Sequence, residues 1–369
     1  MANILVNGGV RITPTGRPPV VETYHKLKGI EGSLARFRSE FIAMQKSGRL
    51  NDLPSVEKLV RTSGKQIDAY SETLDICSKD VEQESLKNEM PDYYRLLKIF
   101  LSRASDAHTV LPYSLYLYDY ANSLAINETD KWPYQSRSNH IDFIGNRIAE
   151  AQSVCKAYLC LLSSSMDSKI EKIDPARMIR EILNVQKKVY MIKGFNEFHY
   201  KKIDLGWLED TCSNFSLSAE KVPSIRNFAP LVYFIFEHII TNAMKATFLA
   251  ATKQKNGNFN LKDFYNSGPA DWPVSKPGIS VSLGNNPNGS ITADFIDNGI
   301  GMPKETLARL FSPNEAKTHF IRLMIYSNGS SLKLFPYIMD LTGISLHVES
   351  EVGCGAKFTL TIPKEAALN

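Results

Sequence analysis

Cysteine is scarce in this chain, and its five copies are badly placed for a shared task. Cys77, Cys155, Cys160, Cys212 and Cys354 are scattered and odd in number, and no pair has metal-ligand spacing. That argues against a cysteine zinc site and a disulfide framework, and it suits reduced, mostly buried thiols in an intracellular compartment. Long hydrophobic runs are also lacking. The densest, residues 231–240, contains Glu237 and His238 and is far shorter than the roughly 20 apolar residues that span a bilayer. No secretory leader pattern, internal repeat or low-complexity tract is expected. Charge of one sign is not in excess either. A net charge of +4 with a pI of about 8.6 is too small to argue for nucleic acid.

What is present is a globular composition, 43% apolar and 22% charged over 369 residues, with enough chain for two domains. Residues 1–22 read as a flexible tail with Gly8-Gly9, Pro14 and Pro18-Pro19. Arg11 and Arg17, with no acid among the first 21 residues, also suit a weak mitochondrial presequence. From 23 to 165 the pattern is helical. Tyr93, Leu96, Leu97, Phe100 and Ala104 recur at helical spacing, residues 110–120 are rich in aromatics, and a long helix is expected over 139–162. Breaks fall at Pro54, Pro91 and Pro133. Long helices with short connections predict a four-helix bundle.

The pattern changes over 166–369. Asp174-Pro175 reads as a capped helix start, with the helix running to Lys187. Strands are expected near Tyr190–Met191 and over 199–204, then a helix over about 227–250 and a polar loop over 253–277. Residues 279–283 and 291–296 alternate around Asn288-Gly289, a hairpin signal. A last helix over about 331–342 ends at Gly343, and a closing hairpin pairs 344–350 with 357–362. Helices on one face of a mixed sheet make an α+β sandwich.

Two motifs carry chemistry. A strand runs into Asp297-Asn298-Gly299-Ile300-Gly301-Met302-Pro303. A carboxylate at a strand end can accept from an exocyclic amine, and the glycines let backbone approach a planar ring. Upstream, Asn242-Ala243-Met244-Lys245-Ala246-Thr247 lies in the apolar helix, where one amide oxygen suffices for Mg²⁺ alongside phosphates and water. In this order and spacing they resemble the N-box and first glycine box of the GHKL ATP-binding fold, here a histidine-kinase-like α/β sandwich. The run from Phe236-Glu237 to Thr247 is similar to the mitochondrial protein kinases of pyruvate and branched-chain 2-oxoacid dehydrogenase. His108 to Pro112, Asn146-Arg147-Ile148, Ile173-Asp174-Pro175 and Arg309-Leu310-Phe311-Ser312 follow that family's order of features.

The resemblance implies an ATP- and Mg-dependent kinase acting on a serine of a protein partner, a dehydrogenase complex subunit or another large assembly. It also implies a mitochondrial matrix location (otherwise cytoplasmic) and a homodimer. Asn242 would hold Mg²⁺, Lys245 would meet phosphate, Asp297 would read adenine, and Gly299 and Gly301 would form the first glycine box. The second box departs from the family: Gly329-Ser330-Ser331-Leu332 replaces Gly-x-Gly-Leu, so a Cβ stands at Ser331 where backbone normally approaches phosphate. In the lid, about 313–328, Lys317, His319 and Arg322 face either phosphate or water.

The family's base, a Glu four residues before the Asn, is His238 here, and Glu237 lies five before. Either His238 takes that place, or a π-bulge turns Glu237 back toward Asn242. The family's supporting His falls on Phe234 or Tyr233. Two readings follow: an active protein kinase, or a pseudokinase serving as a structural or regulatory subunit. His140 with Asp142, and the aromatic run from Tyr113 to Tyr120, read as packing or surface.

Overall fold

The computed structural model describes residues 2–6, 18–81, 113–125, 137–163, 170–196, 214–219, 222–250, 278–309, 332 and 334–365. They fall into two compact units, 12–168 and 1–11 with 169–369.

The first unit is helical. Its described helices are α1 (Pro18–Lys46), α2 (Leu53–Val81), α3 (Tyr113–Ala125) and α4 (Arg137–Ser163). Helix α1 packs against α2 and α4, and α3 packs against the same two. Gly48 ends the first hairpin arm with φ 73°, a conformation glycine adopts without a Cβ penalty. Asp52 then caps α2, its Oδ2 accepting from Ser55 N–H at 3.1 Å. Leu27, Leu34, Phe37 and Phe41 of α1 and Ile144, Ile148, Ala151 and Cys155 of α4 are buried, a helical stripe on each partner. Where α1 and α4 meet, a Cβ on Gly145 would lie 3.3 Å from the Phe41 ring. The aromatic run packs inward: Tyr113 and Tyr120 are buried, and their hydroxyls donate to Gln66 Oε1 and to the Leu50 carbonyl. Asp142 accepts from Gln45 on α1. The segment 82–112, with the Tyr93 to Ala104 pattern and His108 to Pro112, lies outside the described residues, as do Pro133 and the His140 side chain.

The second unit begins with a departure from expectation. Residues Ala2–Val6, read above as tail, form strand β1 and pair antiparallel with 346–350. The pairing joins the two ends of the chain, a contact that local pattern cannot announce. The sheet order is β1, β7 (Ser345–Glu351), β8 (Gly355–Ile362), β6 (Ile291–Asp297), β5 (Ile279–Asn285), β3 (Phe215–Ala219). All neighbours are antiparallel except the β3–β5 pair. A separate antiparallel pair joins β2 (Glu171–Ile173) to β4 (Ile225–Asn227). In β6 and β8 buried residues alternate with part-exposed ones, the signature of a half-buried sheet.

Helix α5 spans Pro175–Asn196, so Tyr190–Met191 is helical rather than a strand. No breaker interrupts the pattern before Gly194, and a short apolar run alone does not separate helix from strand. Asp174 Oδ1 caps α5 by accepting from Arg177 N–H at 3.0 Å. Residues 199–204 and 253–277 lie outside the described residues. Helix α6 (Ala229–Ala250) packs on β5, β6, β8 and α5, with Phe236 against Phe295 of β6. Helix α7 (Lys304–Arg309) follows Pro303, and α8 (Phe335–Thr342) starts later than the expected 331, with Pro336 in its first turn. Gly343 ends α8 with φ 68°.

Candidate nucleotide site

The site grows from the end of β6. Asp297 pairs with Ala356 across the β6–β8 ladder, and the residue is only 4% exposed. Burial pushes it from 3.8 up to about 7, against the lowering influence of the Gly299 and Ala356 N–H groups. The Gly299 N–H donates to Oδ1 at 2.8 Å. The carboxylate is thus fixed in position, and burial disfavours its charged form in spite of these two N–H groups. An exocyclic amine would supply a further donor.

The residues after it are folded tightly onto their own neighbours. A Cβ on Gly299 would lie 2.6 Å from Ala246, and one on Gly301 (φ 66°) would lie 1.9 Å from the Glu351 carbonyl oxygen. Ile300 N–H donates to the Ala246 carbonyl at 3.2 Å, and Ile300's own carbonyl accepts from Gly353 N–H at 2.8 Å. Met302 N–H is held by Ser350 Oγ at 2.9 Å. On the other side Asn298 and Gly278 exchange hydrogen bonds. The glycines therefore press the loop against α6 on one side and the β7–β8 hairpin on the other.

This contact orients α6. Asn242 lies one turn before Ala246, about 6 Å along the axis and on the same face. Its side chain is half-buried. Among the described residues no group of three or more His, Cys, Asp or Glu side chains could hold a metal. Asn242 therefore fits a metal brought in by phosphate oxygens rather than a cage made by protein. Lys245 follows on α6, and its side chain lies outside the described residues. Leu332 is buried, whereas Gly329 and Ser331 lie outside the described residues, as does the 313–328 lid with Lys317, His319 and Arg322.

The α-helical pattern is unbroken from Ala229 to Ala250. The bulge that would have turned Glu237 toward Asn242 is absent. Glu237 is instead gripped on the side of α5: Gln186 Nε2 and Thr241 Oγ1 donate to Oε1 at 3.1 and 2.9 Å. His238 Nδ1 lies 2.9 Å from Oε2 and 2.8 Å from the Phe234 carbonyl, and its ring stacks on Phe234 at 4.0 Å. Thr241 was recognisable as the i+4 neighbour of Glu237. Gln186, 51 residues away in sequence, carried no signal.

Residues 229–366 match the family model described as histidine kinase-, DNA gyrase B- and HSP90-like ATPase. This part of the chain is a GHKL ATPase domain. The GHKL domain joins helices to a mixed sheet, and domains of this type bind ATP, usually with Mg²⁺. The chain is similar to a mycobacterial sensor histidine kinase, MprB, at 12% identity over 54% of this chain and 99% of that one, with a TM-score of 0.33. It is similar to the catalytic domain of histidine kinase ThkA at 14% identity over 54% and 97%, TM-score 0.34. Full-length ShkA in complex with AMPPNP is similar at 12% identity over 69% of this chain and 40% of that one, TM-score 0.36. No curated protein matches the sequence. Among the described residues no helix is long and apolar enough to cross a membrane.

Proposed function

We propose that this chain is an ATP-binding, kinase-like protein of the mitochondrial dehydrogenase-kinase type, transferring phosphate to a serine of a protein partner. The observation that carries the reading is the buried carboxylate of Asp297 at the end of β6. It lies beside a glycine loop that docks on the α6 turn opened by Asn242. In this reading Asp297 accepts from the adenine amine, and Gly299 and Gly301 shape the wall beneath the ring. Asn242 holds Mg²⁺, which would supply charge neutralisation at the phosphates. Lys245 and the Gly329, Ser331 and Leu332 segment meet the phosphate chain. The helical unit completes a four-helix bundle, through which the protein meets a dehydrogenase complex subunit or forms a homodimer in the mitochondrial matrix.

One observation favours a second reading, a nucleotide-binding structural or regulatory subunit without transfer activity. Helix α6 is regular, so Glu237 is turned away from the face of Asn242.

Calorimetric titration of the full chain with Mg-ATP and ADP tests the shared core of both readings, with Asp297→Asn as the control. Saturable binding that this substitution removes is the expected result. No binding by the unsubstituted chain at millimolar nucleotide would refute it.

A further inference from the structure

Ser350 breaks the pattern of its strand. On β7 the side chains of Leu346 and Val348 are fully buried, and Ser350, next on the same face, is only 5% exposed. A hydroxyl buried at an otherwise apolar position needs hydrogen-bond partners, and this one has two. The Met302 N–H donates to Ser350 Oγ at 2.9 Å, and the Ser350 hydroxyl donates to the Gly355 carbonyl at 2.8 Å. A hydroxyl carries one proton and two lone pairs, so both bonds form at once. The backbone of Ser350 is itself held in register, paired with Ala2 of β1 on one side and Ala356 of β8 on the other.

The Gly355 carbonyl belongs to the same peptide unit as the Ala356 N–H. That unit is trans and planar, so its two polar groups point in opposite directions. The carbonyl faces Ser350, and the N–H faces the Asp297 carboxyl, where it offsets part of the effect of burial. Accepting a bond at the carbonyl polarises the peptide and strengthens its N–H as a donor. A Cβ on Gly355 would overlap the Asp297 carbonyl oxygen, so this peptide lies directly against the end of β6. One hydroxyl thus reaches both ends of the loop that starts at Asp297 and closes at Met302. It reaches the far end directly and the near end through a single peptide.

We propose that Ser350 is a positioning residue of the nucleotide site, whose hydroxyl sharpens the preference for adenine by fixing the Gly355–Ala356 peptide and the Met302 end of the glycine loop. The inference rests on the ATP-binding reading. Ser350 acts through Asp297 and has no contact with nucleotide in this account. An exocyclic amine gains from the carboxylate only when the oxygen is held in hydrogen-bond geometry. A base that offers a carbonyl at that place gains nothing from the same aim. The hydroxyl therefore favours adenine over hypoxanthine rather than nucleotides in general.

The test is calorimetric titration of the full chain and its variants with ADP and with inosine diphosphate. Ser350→Ala should weaken ADP binding by about 3–10-fold, the worth of one hydrogen bond, and leave inosine diphosphate binding nearly unchanged, so that the preference narrows. Ser350→Thr keeps the hydroxyl on a residue suited to a strand and should retain the preference. A purely structural role would lower the denaturant midpoint and leave the preference as it is. Hydrogen exchange in the unsubstituted protein decides the matter if a variant fails to fold: ADP should slow the Met302 and Ala356 amides more than inosine diphosphate does. A Ser350→Ala chain with the parent's preference, a narrowing shared by Ser350→Thr, or amides at 302 and 356 indifferent to saturating ADP overturns the positioning role and leaves nucleotide binding intact. Absent ADP binding by the parent chain overturns the underlying reading and this inference with it.

Discussion

Replacing Asp297 by Asn should stabilise the GHKL domain while disabling it, and the gain should depend on pH. Burial raises the carboxyl from 3.8 to about 7. For an acid shifted upward, the favourable contribution to folding is complete below pH 3.8 and is lost as pH rises through about 7. Above that, the whole contribution, roughly 4 kcal/mol, is gone. Integrating between pH 5 and pH 8 gives a loss of about 2.5 kcal/mol attributable to this one group. Asparagine has the same shape and never ionises. Any constant cost of the substitution, such as a weakened bond to the Gly299 or Ala356 N–H, cancels when the two pH values are compared. The assay is urea unfolding of the full chain and the Asp297→Asn variant at both pH values, followed by hydrogen exchange of peptides from β6 and β8 so that only this domain is read. The variant should gain about 2.5 kcal/mol relative to the parent on going from pH 5 to pH 8. A difference that is the same at both pH values would refute the account of Asp297 as an acid raised by burial.

Three further outcomes follow from the same geometry. ADP affinity should weaken by up to about tenfold for each pH unit below 7, because an amine donor selects the ionised carboxylate; calorimetry from pH 5.5 to 8 checks this. Gly301→Ala should destabilise the GHKL domain by at least about 2 kcal/mol, since it places a Cβ against the Glu351 carbonyl at positive φ; denaturant midpoints measure it. Phe41→Ala, which empties a buried site between α1 and α4, should cost the helical unit about 3–5 kcal/mol and leave ADP binding unchanged, as thermal unfolding and calorimetry would show together.

The parts of the site legible in the sequence are those written in contiguous residues. Strand β6, Asp297, the two glycines and Pro303 lie within residues 291–303, and each demand is local: a strand end, a positive φ, a helix start. Asn288-Gly289 and the Gly353 to Gly355 turn likewise announced their hairpins. The long-range elements were not legible. Strand β1 gains its place by pairing with β7 near the other end of the chain and packing on α7, and as an isolated five-residue stretch beside Gly8-Gly9 it reads as tail. Tyr190–Met191 has strand-like residues yet lies inside α5, a helix that packs on α6 and β3. Spacing posed the question of Glu237 or His238 without answering it. The direction in which Glu237 turns depends on Gln186, whose side chain reaches it only once α5 and α6 are packed.

The most direct measurement of the central claim is a calorimetric titration of the full chain with ADP and inosine diphosphate side by side. The two ligands differ in the group offered to Asp297, an amine donor in one and a carbonyl acceptor in the other. A hydrogen bond to a charged group is worth roughly 1.5–3 kcal/mol, so ADP should bind at least about tenfold more tightly, and Asp297→Asn should erase the preference. Equal affinity for the two nucleotides would contradict Asp297 as the reader of adenine.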